Sequence, residues 1–147
     1  MRSRGVRVAL FALDAFAAVS AAGGGIALVA GLEGGRFPPE LLDGTPFSNY
    51  TIPGLILAGA VGGSATIASV ATLRRPNVGA PASVAAGGIM MGWIAGEVLL
   101  LSQPAARSWV EALYFADGLT MAGLGLAVGW TERGRRLSPG GGRLVDG

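Results

Sequence analysis

Four acidic side chains interrupt the apolar stretches of this sequence and have the clearest capacity for chemistry. They are Asp14, Glu97, Glu111 and Asp117. An ionisable group inside a membrane-spanning stretch is expensive to bury, so each one is a functional candidate. The chain contains no His and no Cys, which excludes the metal sites and nucleophile–base pairs that depend on those residues. Because there is also no phosphate loop, we expect no metal, no cofactor and no enzymatic activity.

Glu97 and Asp117 are predicted to form a pair. Glu97 lies close to the end of the third apolar stretch, Asp117 follows soon after the start of the fourth, and a short link joins the two. In antiparallel neighbouring helices the two carboxyl groups then fall at a similar depth. Facing carboxylates in a medium of low dielectric repel each other, and such a pair can carry a proton or bind a cation. Trp93, Tyr114 and Glu111 complete this candidate ion, proton or ligand site.

The same acidic residues also have a structural interpretation. Arg36 and Arg107 are expected at the same end of the bundle as Glu97 and Glu111. Ordinary ion pairing with these arginines would neutralise the two carboxylates without giving them any further role. The sequence does not decide between the two interpretations.

Asp14 is expected to be a buried polar residue in the other half of the bundle. Asp14 follows Arg7 by seven residues. If Arg7 marks the membrane surface, Asp14 lies roughly 10 Å below that surface at 1.5 Å per residue. Thr66 in the second stretch is expected at about the same depth, where its hydroxyl would satisfy the carboxylate. Arg7 is a second candidate partner. We favour structural pairing over a functional role for Asp14.

Four apolar stretches must position these side chains, and each is long enough to cross roughly 30 Å of hydrocarbon at about 20 residues. Charged residues are 14% of the chain, against roughly 25% in soluble proteins. We therefore predict an all-α integral membrane four-helix bundle in a single domain over residues 1–132, followed by a flexible cytoplasmic tail over 133–147. The predicted spans are about 8–32, 52–73, 80–102 and 109–130.

The arginines predict the orientation of these spans. Only Arg36 and Arg107 are expected on one side, and every other arginine lies on the opposite side. This asymmetry predicts a multi-pass protein of the cytoplasmic (inner) membrane with both termini in the cytoplasm. The loop between the first two spans is then extracytoplasmic, and its prolines and aromatic residues predict that it is structured. The net charge of +2 is too small to suggest nucleic acid as a partner.

Glycines recur at four-residue spacing inside the spans, a pattern that lets helix backbones approach closely in lipid. One interpretation is that they hold a single bundle together. The other is that the groove of Gly88, Gly92 and Gly96 receives a second copy, a partner subunit or a lipid tail, and both can hold at once. The glycines in question are Gly88, Gly92 and Gly96 in the third span, Gly59 and Gly63 in the second, and Gly125 and Gly129 in the fourth.

Three short motifs resemble those of an uncharacterised family of small four-helix bacterial membrane proteins. The motifs are PFSNYTIPG entering the second span, GWI in the third and YFADG in the fourth. The shared positions are Pro46, Phe47, Tyr50, Pro53, Gly54, Trp93, Tyr114, Phe115 and Gly118. The resemblance implies a bacterial membrane protein, brings no reaction or ligand with it, and does not include Asp14 or Asp117.

Two functions follow as expectations. The first is a structural or accessory subunit, or a homo-oligomer, which packs through its glycine-rich helix faces. Its partners would be membrane lipids, a second copy or a larger membrane complex. The second is a small transporter, or a proton- or cation-conducting module, which uses the carboxylates of the outer half.

Overall fold

The computed structural model describes residues 2–101 and 108–137, and all regular elements in those residues are helical. They are α1 (Arg2–Val29), a 3₁₀ turn (Pro39–Leu42), α2 (Thr51–Ile56), a π-helical segment (Leu57–Gly62), α3 (Gly63–Arg74), α4 (Pro76–Leu100) and α5 (Ser108–Leu137). The π segment follows α2 and precedes α3 without a break, so the three form a single rod. The described chain is therefore an all-α bundle of four rods.

Each of the four rods is long and apolar enough to cross a membrane. The candidate spans are Arg4–Val29, Thr51–Arg74, Asn77–Leu100 and Trp109–Gly134, which confirms the predicted number of spans. Their outward faces carry large exposed apolar side chains such as Val19 and Leu99, which suit lipid rather than water. α5 continues to Leu137, so residues 133–137, expected in the tail, are helical, and residues 138–147 lie outside the described part.

The four rods alternate in direction, which gives the bundle two distinct ends. The loop end carries the segment between α1 and α2, residues 30–50. The arginine end carries the tight turn at Arg74 and Arg75 between α3 and α4, together with the start of α1 and the close of α5. These two names are used for the ends below.

Small side chains form the core, and they allow the rods to approach closely. The core cluster contains five alanines, Val61 and the two methionines Met90 and Met121. α4 and α5 meet backbone to backbone, because a Cβ placed on Gly87 would collide with the carbonyl oxygen of Gly118. Close backbone approach between small residues is the main source of helix association in lipid, where no hydrophobic drive remains.

The second rod packs on α1 through its wide π turn. Gly54 and Gly62 both lie against the backbone of α1, with Gly25 opposite Gly54 and Ala58. In an α-helix, residues four apart are rotated by roughly 40° from one another. The wider turn of a π-helix reduces that rotation, so Gly54, Ala58 and Gly62 all face α1.

The segment between α1 and α2 folds back over the loop end of the bundle. The Tyr50 hydroxyl donates a hydrogen bond to the carbonyl oxygen of Pro38 at 3.1 Å, and the Tyr50 ring meets Phe37 edge to face at 5.8 Å. Thr45 donates to the carbonyl oxygen of Leu42 at 2.7 Å, and Leu42 is buried. These contacts hold the segment as a cover over the space between the rods.

Candidate functional site

A pocket of about 520 Å³ lies beneath this cover in the half of the bundle nearest the loop end. Its walls come from α1, the second rod, α4 and α5, and its roof comes from the covering segment. Most of the lining is apolar or aromatic, and its charged side chains come from the covering segment and from the turns of α4 and α5 nearest the loop end. The aromatic residues that line it are Phe37, Phe47, Tyr50, Trp93 and Tyr114, and the charged ones are Glu33, Arg36, Glu97 and Glu111.

The pocket exists because the second rod and α4 diverge towards the loop end. α4 packs extensively on α3 near the arginine end, whereas it makes only sparse contacts with the π segment. Val61 and Met90 close the space near the middle of the bundle. Above them, Ile56 lies on one wall and Ile94 on the other. The resulting cleft lies between the covering segment and the pair Val61 and Met90.

An ion pair crosses the roof of the pocket. Arg36 Nη2 lies 3.7 Å from Glu111 Oε1, and the two side chains are 38% and 5% exposed. The guanidinium of Arg36 also lies 5.4 Å from the centre of the Phe37 ring. The second carboxylate oxygen of Glu111, Oε2, is buried and accepts no hydrogen bond within the described residues. Arg107, the other predicted partner, lies outside the described part of the chain.

Tyr50 lies in the covering segment, where the charges of nearby carboxylates act on its phenol. Burial raises the pKa of the Tyr50 phenol above 10.0, and the negative charges of Glu97 and then Glu40 raise it further. Glu97 is therefore within electrostatic reach of Tyr50. Glu97, Glu111, Trp93 and Tyr114 all line this one pocket, as expected for members of a single site.

Asp117 does not belong to the pocket, and its expected pairing with Glu97 is wrong. Gly87 lies opposite Gly118, and Ala80 lies opposite Gly125. In this register Glu97 is level with the first turn of α5, which holds Glu111. Asp117 is level with Gly88, roughly 13 Å deeper at 1.5 Å per residue. The expectation failed because it counted both carboxylates from the helix ends, and the backbone contacts of the glycines set a different register.

Asp14 is fully buried in the half nearest the arginine end, as expected. Its Oδ2 accepts hydrogen bonds from Ser83 Oγ at 2.7 Å and Thr72 Oγ1 at 3.4 Å. The predicted partner Thr66 is instead exposed and donates within its own helix to the carbonyl oxygen of Gly62. Arg7 donates to the carbonyl oxygen of Thr72 at 3.2 Å. Asp14 is thus paired with hydroxyl groups, although with different ones from those expected.

Asp117 lies close to Asp14, on the neighbouring helix. The rings of Phe16 and Tyr114 stack at 5.9 Å with 15° between their planes, which joins α1 to α5. Asp14 and Asp117 both lie on the arginine-end side of this stack, within one helical turn of it. Because α1 and α5 contact each other and both side chains are buried, the two carboxyl groups lie at the same level in the interior of the bundle.

Of the predicted packing glycines, only Gly125 packs tightly against another helix of the chain, at Ala80 and Val84. The other six have no atom of the described residues within 4 Å of an added Cβ. The tight packing instead uses glycines that spacing alone did not single out as packing positions. The six open positions are Gly59, Gly63, Gly88, Gly92, Gly96 and Gly129, and the tight ones are Gly25, Gly54, Gly62, Gly79, Gly87 and Gly118.

Three residues near the buried aspartates were not identified from sequence. Thr72 and Ser83 donate to Asp14, and Phe16 stacks on Tyr114. Ser and Thr are common in membrane helices, so their identity alone gives no signal. Ser83 becomes informative once α4 is placed beside α1, because a hydroxyl is then available to a buried carboxylate.

Comparison with known proteins adds no family to this description. No protein-family model, no curated protein and no solved structure matches the chain. Within the described residues, no group of three or more acidic side chains is placed to hold a metal ion.

Proposed function

We propose that this protein binds an amphipathic ammonium compound, a molecule with an apolar tail and a positively charged head, in the pocket at its loop end. The observation that carries the proposal is the division of the pocket lining. Apolar walls fill the depth of the cleft, and the charged groups lie at its roof. A molecule of matching polarity would place its tail between the rods and its head beneath the covering segment.

The charges at the roof favour a cation over an anion. The described lining residues include three carboxylates and one guanidinium. Among these described residues the carboxylates therefore outnumber the cations, and Arg36 is engaged with Glu111 and Phe37. Glu111 also has a buried oxygen without a hydrogen-bond partner among the described residues, and the positive charge of an ammonium head would compensate this buried carboxylate.

The aromatic residues favour an ammonium group in particular. Trp93, Tyr114 and Tyr50 line the same space as the carboxylates. Aromatic faces attract cations, and aromatic cages are a common means of binding quaternary ammonium groups. A negatively charged roof with aromatic walls therefore favours a ligand whose head is both positively charged and of the right shape to fit between the rings.

The pocket lies in the outer leaflet of the bilayer if the loop end faces outwards. The excess of arginine at the opposite end supports this orientation, with both termini in the cytoplasm and the covering segment outside. The apolar cleft then lies within the outer leaflet, and its charged roof lies near the headgroups. Glu97 and Glu111, the carboxylates of the outer half, would then have the binding role that a small transporter needs.

Quenching of Trp93 fluorescence tests the proposal. The chain has three tryptophans, and Trp109 and Trp130 are exposed, so a variant with both replaced by Phe reports on the pocket alone. In lipid nanodiscs, a brominated alkyltrimethylammonium should quench Trp93 at about tenfold lower concentration than a brominated alkyl sulfate of the same length. Glu111→Gln should reduce that preference.

The matched control keeps Trp130 and replaces Trp93 and Trp109. Trp130 lies near the arginine end, so it reports only non-specific partition of the probe into the bilayer. Equal quenching of Trp93 by the ammonium and the sulfate, after correction by this control, would overturn the proposal.

The open glycine faces support a second function, assembly with a further copy of the chain. Gly88 and Gly92 are exposed and have no neighbour within 4 Å among the described residues, although close packing is what such spacing favours in lipid. On this hypothesis the protein is a homo-oligomer or an accessory subunit. Energy transfer between donor- and acceptor-labelled chains in liposomes should fall on Gly88→Leu and persist in Gly123→Leu, which changes another open glycine. Equal transfer in both variants would contradict it.

The resemblance to small bacterial four-helix membrane proteins stays a prediction. Tyr50, Trp93 and Tyr114, three of the positions that carry it, line the pocket. If the resemblance is correct, the shared pattern preserves the walls of the pocket and not the buried aspartates.

A further inference from the structure

A second polar site lies deeper in the bundle, apart from the proposed pocket. It consists of Asp14 on α1 and Asp117 on α5, together with the hydroxyl groups of Thr72 and Ser83 that donate to Asp14. Asp14 is 0% exposed and Asp117 is 8% exposed. Neither residue lines the pocket, so the proposed binding function does not use them.

Both aspartates have a buried oxygen that lacks a partner. Asp14 Oδ1 and Asp117 Oδ2 accept no hydrogen bond from the described residues. The other oxygen of Asp14 is fully engaged by Ser83 and Thr72. A buried carboxylate oxygen left without a partner costs free energy, and the cost is larger when a second carboxylate is near.

Among the described residues, no ion pair supplies a positive charge to either aspartate. The second rod contributes the hydroxyl of Thr72 to Asp14, and α4 contributes that of Ser83. On α1, Arg7 donates to the carbonyl oxygen of Thr72 and its Nε has no partner. No ion pair joins Arg7 to Asp14 within the described residues.

The backbone is shaped to bring these hydroxyls to the carboxylates. A Cβ on Gly79 would lie 2.6 Å from Thr72 Cα and 2.9 Å from Thr72 Oγ1. Only glycine therefore lets α3 and α4 approach closely enough for Thr72 and Ser83 to reach Asp14 together. Ser83 Oγ also contacts the carbonyl oxygen of Gly79 at 3.1 Å, which fixes its rotamer.

We propose that Asp14 and Asp117 share one bound monovalent cation, a proton or Na⁺, between their unpartnered oxygens. A shared proton makes one carboxyl group a donor to the other carboxylate, so the pair carries one negative charge instead of two. Na⁺ achieves the same neutralisation and takes oxygen ligands from the carboxylates and hydroxyls. The site lies one helical turn from Tyr114, which lines the pocket, on the side nearest the arginine end.

Infrared spectroscopy of the whole protein in lipid tests this site directly. The C=O stretching band of a protonated carboxyl group is recorded while the buffer is exchanged between Na⁺ and choline at constant pH. A band that persists in both buffers identifies the bound cation as a proton. A band present in choline and reversibly lost in Na⁺ identifies competition by Na⁺. A band absent from both, with carboxylate bands that do not respond to Na⁺, overturns the proposal.

Substitutions then assign the band to the two aspartates. Asp14→Asn and Asp117→Asn should each shift or remove the band or the Na⁺ response, and the double variant should lose both. Glu111→Gln removes the other buried carboxyl group of the described residues and should leave both signals unchanged. An unchanged spectrum in the double variant overturns the proposal. Because the buffer exchange uses the unmodified chain, the test stands even if a variant fails to fold. Probe binding at Trp93 is a separate readout, so failure of the pocket proposal is distinguishable from failure of this one.

Discussion

Arg36 and Glu111 are held 3.7 Å apart across the roof of the pocket, with Glu111 almost fully buried and Arg36 partly exposed. The covering segment between α1 and α2 is thus tied to α5 by charge. Removing the exposed partner of such an ion pair leaves the buried charge without compensation.

Arg36→Gln should therefore destabilise the protein more than Glu111→Gln. The first variant leaves a buried carboxylate without its cation, and the expected loss is about 1–3 kcal/mol. The second variant leaves only a partly exposed guanidinium, which water can solvate. Unfolding by a denaturing detergent, followed by circular dichroism, measures the two losses. A larger loss for Glu111→Gln would show that the Arg36 contact does not compensate the buried charge.

Gly87 and its neighbour Gly88 should differ sharply in their tolerance of a methyl group. Gly87→Ala places a Cβ against the backbone of α5, which cannot move aside, and should cost about 1–3 kcal/mol. Gly88→Ala enters open space and should leave stability unchanged or slightly raised. The same unfolding assay compares them, and similar stabilities for the two variants would contradict the observed register of α4 and α5.

Ser83→Ala should be more damaging than Thr66→Ala. Ser83 donates the short hydrogen bond to the buried Asp14, whose loss is expected to cost about 1–3 kcal/mol. Thr66 is exposed and bonds only within its helix, so it serves as the control. The originally expected partnership of Asp14 with Thr66 predicts the reverse order of stability.

The phenol of Tyr50 should titrate above pH 10.0, chiefly because it is buried. A phenol with a raised pKa stabilises the native state while it is protonated, so this contribution is present below the ordinary pKa and is lost as the pH rises through the folded value. Tyrosinate absorbance in a Tyr114→Phe background isolates the group, since the chain has two tyrosines.

Removing the negative charge of Glu97 should lower this pKa more than removing that of Glu40. Burial is the largest cause of the shift, followed by Glu97 and then Glu40. Glu97→Gln and Glu40→Gln are therefore a matched pair of variants. If Glu97→Gln leaves the pKa of Tyr50 unchanged, the charge of Glu97 does not act on the Tyr50 phenol.

Sequence alone predicted the four rods because each has enough apolar length to cross a bilayer. Membership of the pocket was also largely predictable, since Glu97, Glu111, Trp93 and Tyr114 lie near adjoining helix ends. The position of Asp117 was not, because the contacts of Gly87 and Gly118 set the depth at which α4 and α5 meet. Spacing in one helix cannot reveal which of two adjacent glycines, Gly87 or Gly88, faces the neighbour.

The partner of Asp14 was missed for a related reason. Depth counted along α1 and the second rod places Thr66 at a similar level, but it does not give the rotation of either helix. The π segment changes that rotation by widening one turn, and Thr66 then faces outwards. Ser83 and Thr72 occupy the inward positions instead.

The central claim is that the pocket holds an amphipathic ammonium compound, and blocking the pocket tests it most directly. Gly96 lines the pocket, and a Cβ added there has no neighbour within 4 Å among the described residues. Gly96→Leu should therefore fill the cleft without changing its charges. Gly123→Leu makes the same change at another open glycine that does not line the pocket.

The measurement is equilibrium binding of radiolabelled dodecyltrimethylammonium to the protein in nanodiscs, corrected with empty nanodiscs. The unmodified chain and Gly123→Leu should show saturable binding of equal strength, and Gly96→Leu should bind about tenfold more weakly, a loss of about 1.4 kcal/mol. Equal saturable binding in all three, or none in the unmodified chain, would contradict the assignment of the pocket.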